Sequence, residues 1–308
     1  MINKIIAIQG DNPTNLNPLT DTSIFLANEV QKKKYKIFYY EPKNLSIIKS
    51  KVIAQGFFIK FNYSKKKFFK IIKKDKLDLA KCKFILIRQD PPFNLEYISS
   101  TYILDFIKHK VKIINNPTSI RNISEKLFSS KYLRFMPQTI FTQNINEIKK
   151  FIKVHKKVIL KPIQGHGGTD IHLISKFNHK FIKKFTKKHD YIMCQKFLNQ
   201  INKGDKRVFI IDGKIVGAIS RIPKKGSFLS NLSKGGKAIK VNLTLKEKNI
   251  SKIIAKDLKK NNIFFAGIDF IDQKLNGDIN VTSPTGLKTF YDLSNKNLAK
   301  TFWKKLRA

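Results

Sequence analysis

Asp269, Asp278 and Asn280 place two carboxylates and one amide oxygen within a stretch of twelve residues. The surrounding pattern reads as a β-hairpin, residues 264–271 pairing with 278–282, so the three side chains gather at one hairpin end. Oxygen donors on adjacent strands suit a hard, partly hydrated cation such as Mg²⁺. That ion takes a few carboxylates plus substrate phosphates rather than an all-protein cage. An acidic hairpin end on its own is ordinarily just solvated. Its weight here comes from the segments that precede it.

Lys161-Pro162-Ile163-Gln164-Gly165-His166-Gly167-Gly168 joins two strand patterns. Gly165, Gly167 and Gly168 let backbone N–H groups approach an anion and form a phosphate nest. The spacing is neither a P-loop nor a dinucleotide fingerprint, and an ordinary flexible turn is an equal alternative. Lys161 at a strand end and Lys126 at a helix start can each reach a phosphate, although a single lysine in so lysine-rich a chain is ordinarily solvated. Gln195, Lys196, Phe197 and Leu198 end an apolar strand, where a base finds an apolar slot and backbone partners. Arg207 and Arg221 begin and end a hairpin built on Asp212-Gly213. They suit carboxylate or phosphoryl oxygens; the bland alternative is a surface salt bridge. Arg88 and Asp90, in Arg88-Gln89-Asp90-Pro91-Pro92-Phe93, follow a strand. Ligands of open α/β sheets sit at the carboxyl ends of strands, which favours both as substrate contacts.

The elements that must position these side chains fall into two rhythms. Residues 1 to about 122 alternate strands (4–8, 36–40, 84–87, 111–114) with helices (24–33, capped by Ser23, and 94–108), predicting a small open parallel α/β domain. Residues 123–308 pair strands around the Asp212-Gly213 turn and the acidic hairpin, with helices over 145–155, 178–188, 245–260 and 297–306, predicting α+β with antiparallel sheets. Lys65–Lys76 reads as an exposed, lysine-dense insertion, and Lys224–Lys237 as a mobile lid.

Composition excludes more than it assigns. The 308 residues carry a net charge of +41, but arginine is limited to six scattered positions. Arginine is the usual reader of bases and phosphates. The lysine comes with abundant Ile, Asn and Phe, so the charge is read as compositional bias rather than a nucleic-acid footprint. Cys82 and Cys194 sit in apolar stretches without metal spacing, which predicts buried thiols in a reducing cytosol. No run of eighteen apolar residues predicts a membrane span, and the N-terminus lacks a secretory pattern.

Taken in order, these segments resemble the bacterial glutathione synthetases of the ATP-grasp superfamily, nearly end to end. The resemblance is carried by Arg88–Phe93, Asn116–Arg121, Glu125–Phe128, Leu160–Pro162 with the three glycines, Gly204–Val208, Arg221–Pro223, Asn231-Leu232 with Gly235-Gly236, Gly267–Asp269, and Ile279-Asn280-Val281-Thr282-Ser283-Pro284-Thr285. It implies an N-terminal substrate domain over 1–122 and an ATP-grasp domain over 123–308. It also implies a cytoplasmic, homo-oligomeric ligase joining γ-glutamylcysteine to glycine at the expense of ATP. Lys126 and Lys161 would hold the phosphates, and Gln195 to Leu198 would line the adenine. Asp269, Asp278 and Asn280 would bind Mg²⁺, or Mn²⁺ in its place. Arg207 and Arg221 would face the transferring phosphoryl group and the substrate carboxylate, with Arg88, Asp90, Ser283 and Thr285 as substrate contacts.

The chain departs from that family's pattern at four places. Asp278 stands where the family has Glu, Gln164 alters the phosphate turn, and Lys288-Thr289 replaces an Arg-Glu-like pair. The lid reads Gly226-Ser227-Phe228-Leu229-Ser230, without the family's Gly-Glu-Thr-Arg-Gly-like run. The departures predict a slower enzyme. They leave open another ATP-grasp carboxylate–amine ligase, or a nucleotide-binding homologue with impaired catalysis.

Overall fold

The computed structural model describes residues 4–62, 67–165, 167–232 and 235–308. The first layer is a seven-stranded sheet. It is built from β1 (Ile5–Gln9), β2 (Lys36–Tyr40), β3 (Leu45–Ile48), β4 (Lys51–Phe61), β5 (Phe69–Asp78), β6 (Phe84–Ile87) and β7 (Lys112–Ile114), with α1 (Thr22–Gln31), α2 (Leu95–Asp105) and α3 (Pro117–Asn122) around it. The order is β3-β4-β2-β1-β6-β7, with β5 on β4. The neighbours β2-β1-β6-β7 are parallel, and their almost unbroken apolar runs are those of strands covered on both faces.

That parallel core is the one the alternation predicts, and an antiparallel flank makes the sheet mixed. β4 runs antiparallel to β2, β3 and β5. The stretch expected to be an insertion is mostly β5, an edge strand with lysines on both faces. Charged edges of this kind resist further strand pairing, and they also erase the period-two signal. Residues 65 and 66 of that stretch lie outside the described residues. Helix α1 is capped by Asp21 rather than Ser23: the Asp21 carboxylate accepts from the Ile24 N–H at 2.7 Å.

Two antiparallel sheets follow. The first contains β8 (Thr139–Thr142), β9 (Val158–Pro162), β10 (His172–Ile174) and β11 (Ile192–Lys196) in the order β10-β9-β11-β8. Helices α4 (Ile145–His155) and α5 (His179–His189) bury Ile148, Ile152, Ile182 and Phe185 against it. The second contains β12 (Asp205–Ile211), β13 (Lys214–Ile222), β14 (Lys237–Lys240), β15 (Phe265–Ile271) and β16 (Lys274–Asn280) in the order β14-β13-β12-β15-β16. Helix α6 (Leu245–Lys260) opens with a capping box, Thr244 with Glu247, and covers one face. The opposite face packs on α7 (Leu287–Ser294) and α8 (Leu298–Leu306).

That last core also takes in Ile6, Ile24, Phe25 and Leu26, so the N-terminal layer and the second antiparallel sheet share buried side chains. Polar contacts cross the same seam. The Trp303 indole donates to the Leu26 carbonyl at 2.8 Å, and the Gly286 N–H, at the start of α7, donates to Thr22 Oγ1 at 3.1 Å. Among the described residues no helix is long and apolar enough to cross a membrane.

Candidate active site

The two antiparallel sheets and the N-terminal layer enclose one cavity of about 720 Å³. The acidic hairpin forms part of its wall, though with a different register from the expected one. β16 starts at Lys274, and the turn is Asp272-Gln273, both residues at positive φ (47° and 58°), the geometry of a tight two-residue hairpin turn. The predicted second strand therefore began four residues too late, because neither turn residue is glycine. A register shift between Ile268 and Phe270 breaks the ladder at Asp269. The bulge re-aims that side chain, as bulges near sites do.

Asp269 is the centre of a buried chain of ion pairs. Arg207 donates to it through Nε at 2.8 Å and Nη2 at 2.7 Å, and Arg221 Nη2 donates to it at 2.7 Å. Arg221 also forks onto Asp205, across the β12–β13 register. Burial alone would raise the Asp269 carboxyl, but Arg207 and then Arg221 hold it well below the ordinary range. These arginines are thus buried, not surface pairs. Arg207 Nη1 also approaches Thr285 Oγ1 at 3.4 Å.

The two lysines meet at Asp278. Lys126, on the turn entering a 3₁₀ segment, lies 3.4 Å from Oδ1, and Lys161 in β9 lies 3.4 Å from Oδ2. Lys161 also donates to the Asn276 carbonyl at 2.8 Å, and Lys126 to the Gly165 carbonyl at 2.5 Å. Burial would raise Asp278, yet Lys161 and Lys126 keep it below its ordinary value. Burial lowers the Lys161 ammonium, with Asp278 opposing that shift.

Asp269, Asp278 and Asn280 could hold a divalent cation, with Asp278 and Asn280 the readier donors because Arg207 and Arg221 engage both oxygens of Asp269. Asp269, Asp278 and Asn280 line the same cavity, and Asn280 Oδ1 is buried without a hydrogen-bond partner. Such an orphaned acceptor is costly unless something binds it. Two carboxylates and an amide cannot enclose Mg²⁺, which suits an ion that shares phosphate oxygens with its ligand.

The other expected positions divide as follows. Gly165, Gly167, Gly168, Gln195, Lys196, Phe197, Leu198, Asp90, Ser283 and Thr285 all line the cavity. Gly168 has φ of +78°, and a Cβ there would stand 2.9 Å from Asn231 Oδ1, so the turn requires glycine. Gln195 donates to Thr139 Oγ1 at 3.0 Å. His166 lies outside the described residues. Arg88 is not on the cavity wall. It is buried behind it, its Nε donating to Ser23 Oγ at 3.0 Å and its carbonyl accepting from Ser283 Oγ at 3.2 Å. A strand's carboxyl end points toward the crevice, but the side chain of this first residue turns back under α1.

Several lining residues have no role of their own in the reading of the sequence. Glu125 stands beside Lys126, and burial pushes its carboxyl up to about 7 against the pull of Lys126. Asn15, Asn17, Thr20 and Asp21 face the cavity from the loop before α1. Asp205 and Asn276 hold Arg221 and Lys161. Asp205 follows only from the hairpin register, and Asn276 only from the true start of β16.

Comparison with known proteins places this geometry. The family described as prokaryotic glutathione synthetase, N-terminal domain, matches residues 5–121, and its ATP-grasp domain matches residues 125–295. A glutathione synthetase of Agrobacterium fabrum is 33% identical over 305 residues, covering 97% of this chain and 95% of the relative. One from Buchnera aphidicola is 36% identical over 288 residues, covering 91% and 89%. Among solved structures, D-cycloserine synthetase DcsG superposes with a TM-score of 0.69 at 10% identity, covering 98% of this chain and 99% of that one. The ATP-grasp ligase PsnB, complexed with a precursor variant, Mg and ADP, gives 0.67 at 12% identity, covering 100% and 98%. At such identities the structures speak for the fold, while the sequence relatives speak for the family. The chain belongs to the prokaryotic glutathione synthetase family and is an ATP-dependent ligase of ATP-grasp fold.

Proposed function

We propose that the cavity joins γ-glutamylcysteine to glycine through an acyl phosphate. The observation that carries this reading is the convergence of Lys126, Lys161, Arg207, Arg221, Asp269, Asp278 and Asn280 on one enclosed space. A carboxylate is a poor acyl donor. Its oxygen attacks the γ-phosphorus of ATP, the bond to the β-phosphate oxygen breaks, and ADP leaves. The glycine amine then attacks the acyl carbon and phosphate departs.

Such chemistry needs positioning and charge neutralisation more than covalent help. Lys126 and Lys161 hold the phosphates beside the glycine turn. Arg207 and Arg221 face the transferring group and the substrate carboxylate, kept in place by Asp205 and by Asp269. Asp269, Asp278 and Asn280 would hold Mg²⁺, which neutralises charge on the phosphate oxygens. Asp90, Ser283 and Thr285 read the substrate. The segment over residues 224–237 keeps water from the acyl phosphate.

The same reading divides the chain into a substrate unit over 1–122 and an ATP-grasp unit over 123–308. It places a homo-oligomer in the cytoplasm, to which the free, buried Cys82 and Cys194 are suited. Phosphate release from ATP and Mg²⁺ should require γ-glutamylcysteine and glycine together. Release equally supported by other amines would point to a different carboxylate–amine ligase, and no release would refute the assignment.

A further inference from the structure

The lining of the cavity is chemically mixed. Lys126 and Lys161 gather at Asp278, and Arg207 and Arg221 at Asp269. The same lining takes in Ile159, Phe197, Leu198, Ile201 and Ile271, side chains with little to offer a phosphate. Phe228 adds to that apolar lining from outside the sheets. Its ring meets Phe197 nearly at right angles, 86°, with centroids 6.4 Å apart. A perpendicular pair leaves ring faces open, and a flat base stacks on such a face.

The segment that carries Phe228 is exposed ahead of that residue and more buried after it. Lys224 to Ser227 are exposed, and Gly226 at φ +81° has open space around it. Beyond Phe228, Ser230 is buried, and Leu229 and Asn231 lean on the glycine turn at Gly168. One short stretch therefore meets the apolar lining through Phe228 and the glycine turn through Asn231.

We propose that Phe228 is a nucleotide-binding residue that closes over the base opposite the strand-end loop. This rests on the assignment of the cavity to ATP. Contact of the ring with the base pins the stretch whose Leu229 and Asn231 already lean on the glycine turn, so base and phosphates are covered by one segment. Specificity for the base then comes from an apolar ring, in a segment with no arginine between Arg221 and Arg307.

The test compares two ligands, Mg²⁺–ADP and the base-free Mg²⁺–tripolyphosphate, by calorimetry on the full chain. Phe228→Ala should weaken ADP about tenfold, the loss of one base–aromatic contact, and leave tripolyphosphate within about twofold. Phe228→Tyr should restore ADP binding. Unchanged ADP affinity, or equal weakening of both ligands, would overturn the proposal. Lys161→Met separates this failure from failure of the parent assignment. If it weakens ADP while Phe228→Ala does not, only the role of Phe228 falls. If the wild type binds no ADP, or binds it independently of Lys161, both fall.

Discussion

Lys126 and Lys161 reach opposite oxygens of one carboxylate, each Nζ standing 3.4 Å from Asp278. That distance exceeds the 2.7–2.9 Å of a tight charge-assisted bond, so each ammonium holds Asp278 loosely while its short bond goes to a backbone carbonyl, that of Gly165 or of Asn276. Two buried cations share one anion that is itself partly open to the cavity. Under the proposed function, a phosphate entering between them would exchange a loose contact for a short one and would release Asp278 toward a metal ion.

Removing one of the pair should be felt mainly in nucleotide affinity. Lys161→Met is expected to weaken Mg²⁺–ADP by at least about 30-fold, the cost of truncating a buried charged partner. The exposed Lys252, replaced in the same way, should change affinity less than about twofold. Calorimetric titration of both variants checks the contrast.

Neutralising the shared anion should act in opposite directions with and without metal. Asp278→Asn leaves both lysines uncompensated, so ADP in the presence of EDTA binds at least as tightly as to wild type. Phosphate release with Mg²⁺ should fall by about 100-fold or more, since the metal loses a charged ligand. Equal loss in both conditions would assign Asp278 to structure alone.

Asn115 ties the N-terminal sheet to the acidic hairpin with every polar atom of its side chain. Its Nδ2 donates to the carbonyls of Phe265 at 2.7 Å and Val281 at 2.6 Å, and its Oδ1 accepts from the N–H groups of Phe264 at 2.9 Å and Phe265 at 2.8 Å. Val281 adjoins Asn280, so the clip also fixes a proposed metal ligand. Asn115→Ala should cost ~3 kcal/mol in urea unfolding, because buried backbone groups lose their partners. A loss below about 1 kcal/mol would contradict the clip.

Glu125 gives the apoprotein a pH dependence of unusual sign. Its folded-state carboxyl lies near 7, above its ordinary value. The native state therefore holds the proton more tightly, and this group favours folding fully at low pH. Its contribution is lost as pH rises from the ordinary carboxyl value through about 7. Asp269 has the opposite sign, since its lowered carboxyl stabilises above the ordinary value and fails only in acid. Glu125→Gln should be more stable than wild type at pH 8, by up to ~3 kcal/mol. The difference should shrink to nothing by about pH 4, below the ordinary carboxyl value. Chemical denaturation across pH measures it.

Much of the fold was legible because period and turn chemistry agreed. The helices over 145–155 and 245–260 match α4 and α6 residue for residue, where caps Asn144 and Thr244 sit beside clear amphipathic runs. β5 was hidden because its lysines face water on both sides. The nucleotide-like segments were legible as short motifs, and their meeting in one cavity is a tertiary fact. The pairing of Asp205 with Arg221 was not. A two-residue turn at Asp212-Gly213 sets the register near the turn, but the shift between Phe209 and Ile210 moves it by one residue before Asp205 is reached. The direction of the Arg88 side chain was not legible for a related reason: strand direction gives the end of a strand that faces a crevice, not the rotamer of the residue there.

Carboxylate activation is tested most directly by following an oxygen atom. γ-Glutamylcysteine labelled with ¹⁸O in its cysteinyl carboxylate, turned over with ATP, Mg²⁺ and glycine, should deliver one labelled oxygen to each phosphate released. Phosphate free of label, or label found in AMP, would contradict it.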